Sequence, residues 1–200
     1  MKGPSTVRRT LSKIFAATLL ILGLSAFSQA AQFPQLSISA SPNPAQVGQA
    51  IGVDVLIDDV QDLYSFQFSL SFDPALLRVD GSSEGSFLSS VGTTFGDPGS
   101  IDNGAGTLSY AYYVLLGPVA GVSGSGLLLH VDFTALATGT TALTFFGDTV
   151  FLDSQSADIL VSAVPGSIAV TAVPEPASLM LLLAGLGLVA YSRRQSRGAP

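Results

Sequence analysis

The chain has 200 residues, with 8 Lys and Arg against 14 Asp and Glu, and its formal net charge is −6. It contains no cysteine and one histidine, which excludes a disulfide framework, a thiolate metal site and a histidine-rich metal centre. The acidic balance argues against a nucleic-acid partner, because phosphate contacts need clustered Lys and Arg.

The first 30 residues have the three parts of a secretory signal peptide. Four basic residues precede an uncharged apolar run at residues 14–27. Ser28 and Ala30 then occupy the −3 and −1 positions of a cut after Ala30. As a helix the run spans about 21 Å, short of a ~30 Å hydrocarbon core, which favours a signal peptide over an N-terminal membrane anchor. The Arg8-Arg9 pair leaves both the general secretory and the twin-arginine route open.

Residues 31–172 carry several short segments in which apolar and polar side chains alternate. This period of two predicts strands that each bury one face. Turn signals rich in Gly, Pro, Asn and Asp separate the segments, and no long helix is indicated. The pattern therefore predicts an antiparallel β-sandwich. The predicted apolar rows are Val53, Val55 and Ile57; Phe66, Phe68, Leu70 and Phe72; Leu108, Tyr110, Tyr112 and Val114; and Leu127, Leu129, Val131 and Phe133.

The Asp73-Pro74 step marks the end of the predicted strand Leu63–Phe72. Pro74 has no N–H and cannot continue a ladder of strand hydrogen bonds. We expect the Asp73 side chain to accept backbone N–H bonds from the turn that follows.

The order of the segments carries a family resemblance. A strand at Leu36–Ala40 leads into Ile51–Ile57, and the aromatic alternation that follows runs directly into Asp73-Pro74-Ala75-Leu76-Leu77. Together with the later segments, this pattern resembles a cohesin domain over residues 36–172. The resemblance implies a jelly-roll sandwich of about nine strands that binds dockerin-type modules of other secreted proteins. The residues by themselves predict the sandwich, an architecture that carbohydrate-binding modules share.

Residues 173–200 form the third region of the chain. Ala177–Tyr191 is an uncharged apolar run, and Arg193 and Arg194 follow it. A helix can begin at Pro176 but cannot extend upstream of it. Arginines just beyond an apolar helix hold that end in the cytoplasm, which leaves the preceding domain outside. At about 23 Å the run is short for a permanent membrane span.

This tail resembles the PEP-CTERM sorting signal of Gram-negative bacteria. The resemblance rests on Val173, Pro174, Glu175 and Pro176, then the apolar run, then Arg193 and Arg194. It implies that an exosortase, a transpeptidase-like membrane enzyme, reads the Pro-Glu-Pro triplet while the helix holds the protein in the inner membrane. It also implies export to the cell surface, the outer membrane or an exopolysaccharide matrix. Cleavage and retention of the tail both stay open.

No set of residues predicts catalysis. His130 and Asp132 lie two apart on one predicted strand face, but no Gly-x-Ser-x-Gly motif accompanies them. Glu84 is the only glutamate of residues 31–172 and lies in a Gly- and Ser-rich loop, so a glycosidase pair is not indicated. The chain is predicted not to be an enzyme and to need no cofactor.

Calcium is the one ion that the acidic residues suggest, because carboxylate oxygens suit Ca²⁺. No EF-hand or dockerin loop occurs, and exposed aspartates also keep a secreted domain soluble. A second group of aspartates lies at residues 148–158. The candidate metal ligands at one predicted strand end are Asp54, Asp58, Asp59 and Asp62.

Two binding surfaces are consistent with the sequence. A flat row of small polar side chains opposite an apolar row suits a partner protein. Exposed aromatic rings would instead let the sandwich hold extracellular polysaccharide, although the chain has no Trp. The polar row is Ser65, Gln67, Ser69 and Ser71. The candidate stacking residues are Tyr110, Tyr112 and Tyr113, of which Tyr113 points opposite to the other two.

The charge of the predicted domain is more extreme than that of the chain. Residues 31–172 contain thirteen of the fourteen acidic residues and one basic residue, Arg78, so their net charge is −12. A surface of this charge repels copies of itself and anionic polymers unless cations bridge them. Binding of an acidic polysaccharide would therefore depend on calcium.

Overall fold

The structure, a computed structural model, describes residues 33–174, 181–182 and 184–188, so the predicted signal peptide lies outside the described residues. Residues 181–182 and 184–188 are helical. The rest of the described chain forms twelve strands and one short helix, α1, at Ser86–Ser89. The strands are β1 Gln35–Ser41, β2 Ala45–Gln46, β3 Ala50–Ser71, β4 Leu77–Glu84, β5 Thr94–Asp97, β6 Ser100–Asp102, β7 Thr107–Leu115, β8 Val122–Ala135, β9 Gly139–Phe145, β10 Val150–Asp153, β11 Ser162–Ala163 and β12 Gly166–Thr171.

The long strand β3 belongs to both layers of the sandwich. Its first half pairs with β1 and β8, and β8 pairs in turn with β4. Its second half pairs with β7, β10 and β9, while β5 and β6 pair with the other edge of β7. These pairs are antiparallel, which confirms the predicted sandwich. The structure has twelve strands against the predicted nine or so, and the three shortest are β2 and β11 with two residues each and β6 with three. Strand β2 pairs in parallel with β12, and β11 pairs in parallel with β1.

The two halves of β3 meet at a bend. Asp59 and Asp62 have φ values of 56° and 55°, in the left-handed region that short polar side chains tolerate. The hydroxyl of Ser125 accepts the N–H of Asp59, and that of Ser123 accepts the N–H of Asp62. The small residues of β8 therefore support the bend that lets one strand serve two layers.

The core follows the predicted alternation along β3. Every member of its two apolar rows is buried. The ring centroids of Phe68 and Phe145 lie 5.7 Å apart, in an edge-to-face contact. The Phe72 ring lies 5.3 Å from that of Phe133 on β8, in the same geometry, and so joins the two layers.

The predicted row on β7 is wrong beyond Leu108. Tyr110 is exposed, whereas Ala111 and Tyr113 are buried. The reason is a β-bulge, because Leu108 pairs with Leu70 while Ala111 pairs with Phe68. One extra residue on β7 reverses which side chains face the core.

A second irregularity alters the row on β8. Val55 pairs with Leu129 and Leu56 with Leu127, which leaves Leu128 without a partner on β3. Leu128 is buried and Leu127 is only partly buried, whereas Leu129, Val131 and Phe133 face the core as predicted.

The turn after β3 confirms the predicted role of Asp73. Its Oδ1 accepts the N–H of Ala75 at 2.9 Å, and its carbonyl oxygen accepts the N–H groups of Leu76 and Leu77. No helix within the described residues is long and apolar enough to cross a membrane. Much of the predicted run Ala177–Tyr191 lies outside those residues.

Candidate partner-binding surface

Two rows of outward side chains cross β5, β7, the second half of β3 and β10, in that order. We call these residues, with the exposed Tyr110 beside them, the four-strand face. The first row is Phe95, Val114, Ser65 and Leu152. The second row is Asp97, Tyr112, Gln67 and Val150.

Buried rings support the four-strand face from below. The centroid of the Phe66 ring lies 5.9 Å from the centroid of the Tyr113 ring and 6.2 Å from that of the Phe151 ring. Gly96 faces Tyr113 across β5 and β7, and a Cβ there would lie 2.5 Å from the Tyr113 ring. Only glycine therefore lets β5 lie this close. Burial raises the pKa of Tyr113, and the nearby charges of Glu84 and Asp97 add to this effect.

The centre of the four-strand face is a shallow hollow. Ser65 and Gln67 line it between the larger side chains of β7 and β10, and its volume is about 240 Å³. Enclosed small-molecule sites are larger, at roughly 300–1,000 Å³. The hollow therefore suits one side chain of a larger partner. Around it, Phe95 is 59% exposed and Tyr110 is 67% exposed.

The structure brings only half of the predicted polar row to this surface. Ser65 and Gln67 lie on it, but Ser69 is buried. The Ser71 hydroxyl forms a 2.6 Å hydrogen bond with that of Thr144. Among the candidate stacking residues, Tyr110 and Tyr112 face outward, while Tyr113 is buried and cannot stack on a glycan.

The charge at this surface is negative. Asp97 belongs to the second row, and the exposed Asp148 lies just before β10. Arg78, the one basic residue between positions 33 and 174 besides His130, lies on β4 and is held 2.8 Å from Asp80. The four-strand face thus has exposed apolar and aromatic side chains around a small hollow, with carboxylates beside them.

The structure does not bring the four candidate calcium ligands together. Asp54 bonds to His130, whereas Asp62 accepts the Gly121 N–H at 2.7 Å and the Ser154 hydroxyl at 2.6 Å. These bonds, the one from Ser154 above all, lower the pKa of Asp62. No group of three His, Cys, Asp or Glu side chains in the described part of the chain is placed to hold a metal ion.

His130 lies between two carboxylates on the outer surface of the other layer. Its Nδ1 is 2.6 Å from Asp54 Oδ1, and its Nε2 is 3.3 Å from Asp132 Oδ1. The hydrogen bond with Asp54, together with both negative charges, raises the pKa of His130 against the opposing effect of burial. A catalytic triad needs a serine at one ring nitrogen, and here both nitrogens face carboxylates. Sequence reasoning missed Asp54 as the partner of His130, because their pairing spans 76 positions.

The sorting residues are described only in part. Val173 and Pro174 are exposed at the end of the described domain. Glu175, Pro176, Arg193 and Arg194 lie outside the described residues.

Comparisons with known proteins identify two family models. One, described as a cohesin domain, matches residues 34–170. The other, described as a PEP-CTERM protein-sorting motif, matches residues 172–197. No curated protein matches the chain.

Three similar solved structures show the fold. A non-cellulosomal cohesin from Archaeoglobus fulgidus is 20% identical, with a TM-score of 0.56 over 70% of this chain and 92% of its own. The second type II cohesin module of the ScaA scaffoldin from Acetivibrio cellulolyticus is 18% identical, with a TM-score of 0.59 over 69% and 97%. A mutant type II cohesin–X-dockerin complex from that organism contributes a chain that is 18% identical, with a TM-score of 0.57 over 69% and 99%.

Proposed function

The chain belongs to the cohesin domain family, and we propose that it is an exported, non-enzymatic protein whose four-strand face binds a dockerin-type module of another protein. The observation that carries this proposal is the set of apolar and aromatic side chains exposed on β5, β7 and β10 around the hollow. Protein interfaces are enriched in such side chains, which the partner covers. A related type II cohesin occurs in complex with an X-dockerin, which supports a partner of this class.

The charge of the domain indicates what the partner presents. Between positions 33 and 174 there are thirteen acidic residues and a single arginine, Arg78, which is already paired with Asp80. A second acidic surface would be repelled, whereas Lys or Arg side chains would be attracted to Asp97 and Asp148. The partner's contact surface therefore combines an apolar side chain for the hollow with basic residues beside it.

In this proposal, the two terminal regions direct the export of the domain. Residues 1–30 act as the signal peptide, residues 31–172 form the exported domain, and residues 173–200 are the sorting signal. An exosortase recognises Pro174, Glu175 and Pro176 while the tail helix and Arg193-Arg194 hold the protein in the inner membrane. The match to the sorting motif supports this sequence of events. The destination is the cell surface, the outer membrane or the extracellular matrix.

A pair of matched variants tests the binding surface. Ser65→Arg places a bulky cation in the hollow, and Ser37→Arg makes the same change on β1, where Ser37 pairs with Leu56 on the outer surface of the other layer. Calorimetric titration would use the full chain in detergent and calcium-loaded dockerin modules encoded in the same genome. We expect Ser65→Arg to weaken binding about tenfold or more and Ser37→Arg to leave it unchanged. Equal affinities of both variants and the wild type would refute this surface.

A carbohydrate-binding role is the second candidate, and the outward rings of Tyr110 and Tyr112 favour it. Stacking on sugar rings would use these faces, and an acidic polymer would need Ca²⁺ to bridge it to the domain. Pull-down with extracellular polysaccharide, with and without a chelator, separates the two candidates. Retention on the polysaccharide with no binding of any dockerin module would support this role over the first.

A further inference from the structure

Tyr110 has an unusual backbone for its residue type. Its φ is 57°, in the left-handed region where side chains other than those of Gly, Asn and Asp are disfavoured. The other non-glycine residues with positive φ among the described residues are Asp59, Asp62 and Ser156, which have short polar side chains. Tyr110 is the one large side chain held in this conformation there.

The conformation is fixed by the neighbouring strand. Tyr110 lies in the bulge of β7, between the pairs Leu70–Leu108 and Phe68–Ala111. Its N–H donates to the hydroxyl oxygen of Ser69 at 2.9 Å, and Ser69 is only 5% exposed. A buried side chain on β3 therefore holds the backbone of Tyr110 in the strained region.

The side chain of Tyr110 makes no ring–ring contact or hydrogen bond within the described residues that would offset this strain. It is 67% exposed, and it takes part in no ring–ring contact within the described residues. Its hydroxyl makes no hydrogen bond to any of those residues either. Backbone strain without a local benefit is typical of functional sites, where the surroundings maintain it.

We propose that Tyr110 is the binding anchor of the four-strand face, a step that rests on the proposed function. Its ring packs against the apolar centre of a dockerin-type module, and Lys or Arg side chains of that module pair with Asp97 and Asp148. Charge complementarity selects this occupant over a second copy of the chain, because the domain repels itself. Tyrosine suits the role because its ring offers a large contact area at a small cost in side-chain entropy.

Three variants separate binding from folding. Tyr110→Gly removes the ring and accepts the positive φ, and Tyr110→Phe keeps the ring. Ser156→Gly relieves a similar φ of 62° in the turn after β10, outside the four-strand face. Each full chain is titrated in detergent with the calcium-loaded dockerin module that binds the wild type most tightly, and its Tm is measured.

We expect Tyr110→Gly to lower affinity about tenfold or more, while Tyr110→Phe stays within about threefold of the wild type. Relief of strain offsets the flexibility of glycine, so the Tm of Tyr110→Gly and Ser156→Gly should remain unchanged or rise by about 4 °C at most. Ser156→Gly should bind as the wild type does.

Two results would overturn the inference. Wild-type affinity in Tyr110→Gly would show that the ring is not an anchor, and the proposed function would stand if Ser65→Arg still weakened binding. A Tm loss of several degrees in Tyr110→Gly would show that the ring stabilises the fold. A wild-type chain that binds no dockerin module would instead overturn the proposed function itself.

Discussion

Asn103 closes the free edge of β4 in the way a neighbouring strand would. Its Oδ1 accepts the N–H of Val79 at 2.8 Å, and its Nδ2 donates to the Val79 carbonyl oxygen at 2.9 Å. Asn103→Ala leaves both backbone groups without these partners. A fully buried orphaned group costs about 1–3 kcal/mol, and water reaches this partly buried position, so we expect a total loss of about 2 kcal/mol.

Urea unfolding followed by far-ultraviolet circular dichroism measures this loss. The midpoint should fall with an unchanged m-value, and the Tm should drop by about 6 °C for a domain of this size. Asn103→Asp keeps the acceptor but places a carboxylate oxygen against the Val79 carbonyl oxygen, so repulsion should make its loss at least as large as that of Asn103→Ala. A loss below about 0.5 kcal/mol for Asn103→Ala would refute the conclusion that this side chain substitutes for a strand.

Three further changes test the core, the four-strand face and the histidine by the same unfolding assay, to which Gly96→Ala adds calorimetric titration with the dockerin module. Phe68→Ala removes a fully buried ring and should cost about 3–5 kcal/mol, whereas a loss below 1 kcal/mol would contradict its central position. Gly96→Ala places a Cβ against the Tyr112 carbonyl oxygen, so it should displace β5 and reduce both stability and dockerin affinity. Unchanged affinity would argue against a role for β5. The folded-state pKa of His130 is raised. The stability that protonated His130 adds to the folded domain is therefore complete below the unfolded pKa near 6.5, and it is lost as the pH rises through the folded pKa. The stability difference between wild type and His130→Asn should therefore be larger at pH 5.5 than at pH 8.5. It should stay below about 1 kcal/mol because the side chain is 35% exposed. A larger difference at pH 8.5 would contradict the upward shift of the His130 pKa.

The sandwich was predictable because alternation along a strand directly records which side chains are buried. The rows along β3 and the turn at Asp73 depend on neighbours in sequence, and both predictions are confirmed. The bulges at Tyr110 and Leu128 were not predictable, because one inserted residue changes no composition or motif. Each bulge reverses the alternation within a segment that reads as continuous.

The candidate surface was predictable only where it lies on long strands. Outward alternation indicated Ser65 and Gln67, whereas Tyr112 and Val114 belonged to a row predicted to face the core. Phe95 and Leu152 lie on strands of four residues, too short for a periodic signal. Their position beside β7 and β3 depends on long-range pairing that a single sequence does not record.

Hydrogen exchange on the complex tests whether the four-strand face binds the dockerin-type module. Amide protection in the full chain would be compared with and without a saturating calcium-loaded dockerin module. We expect new protection at the four-strand face, in residues 65–67, 94–97, 110–114 and 150–152. We expect none on the outer surface of the other layer, in residues 37–41 and 130–134. Protection confined to residues 37–41 and 130–134, or no new protection at either surface, would contradict binding at the four-strand face.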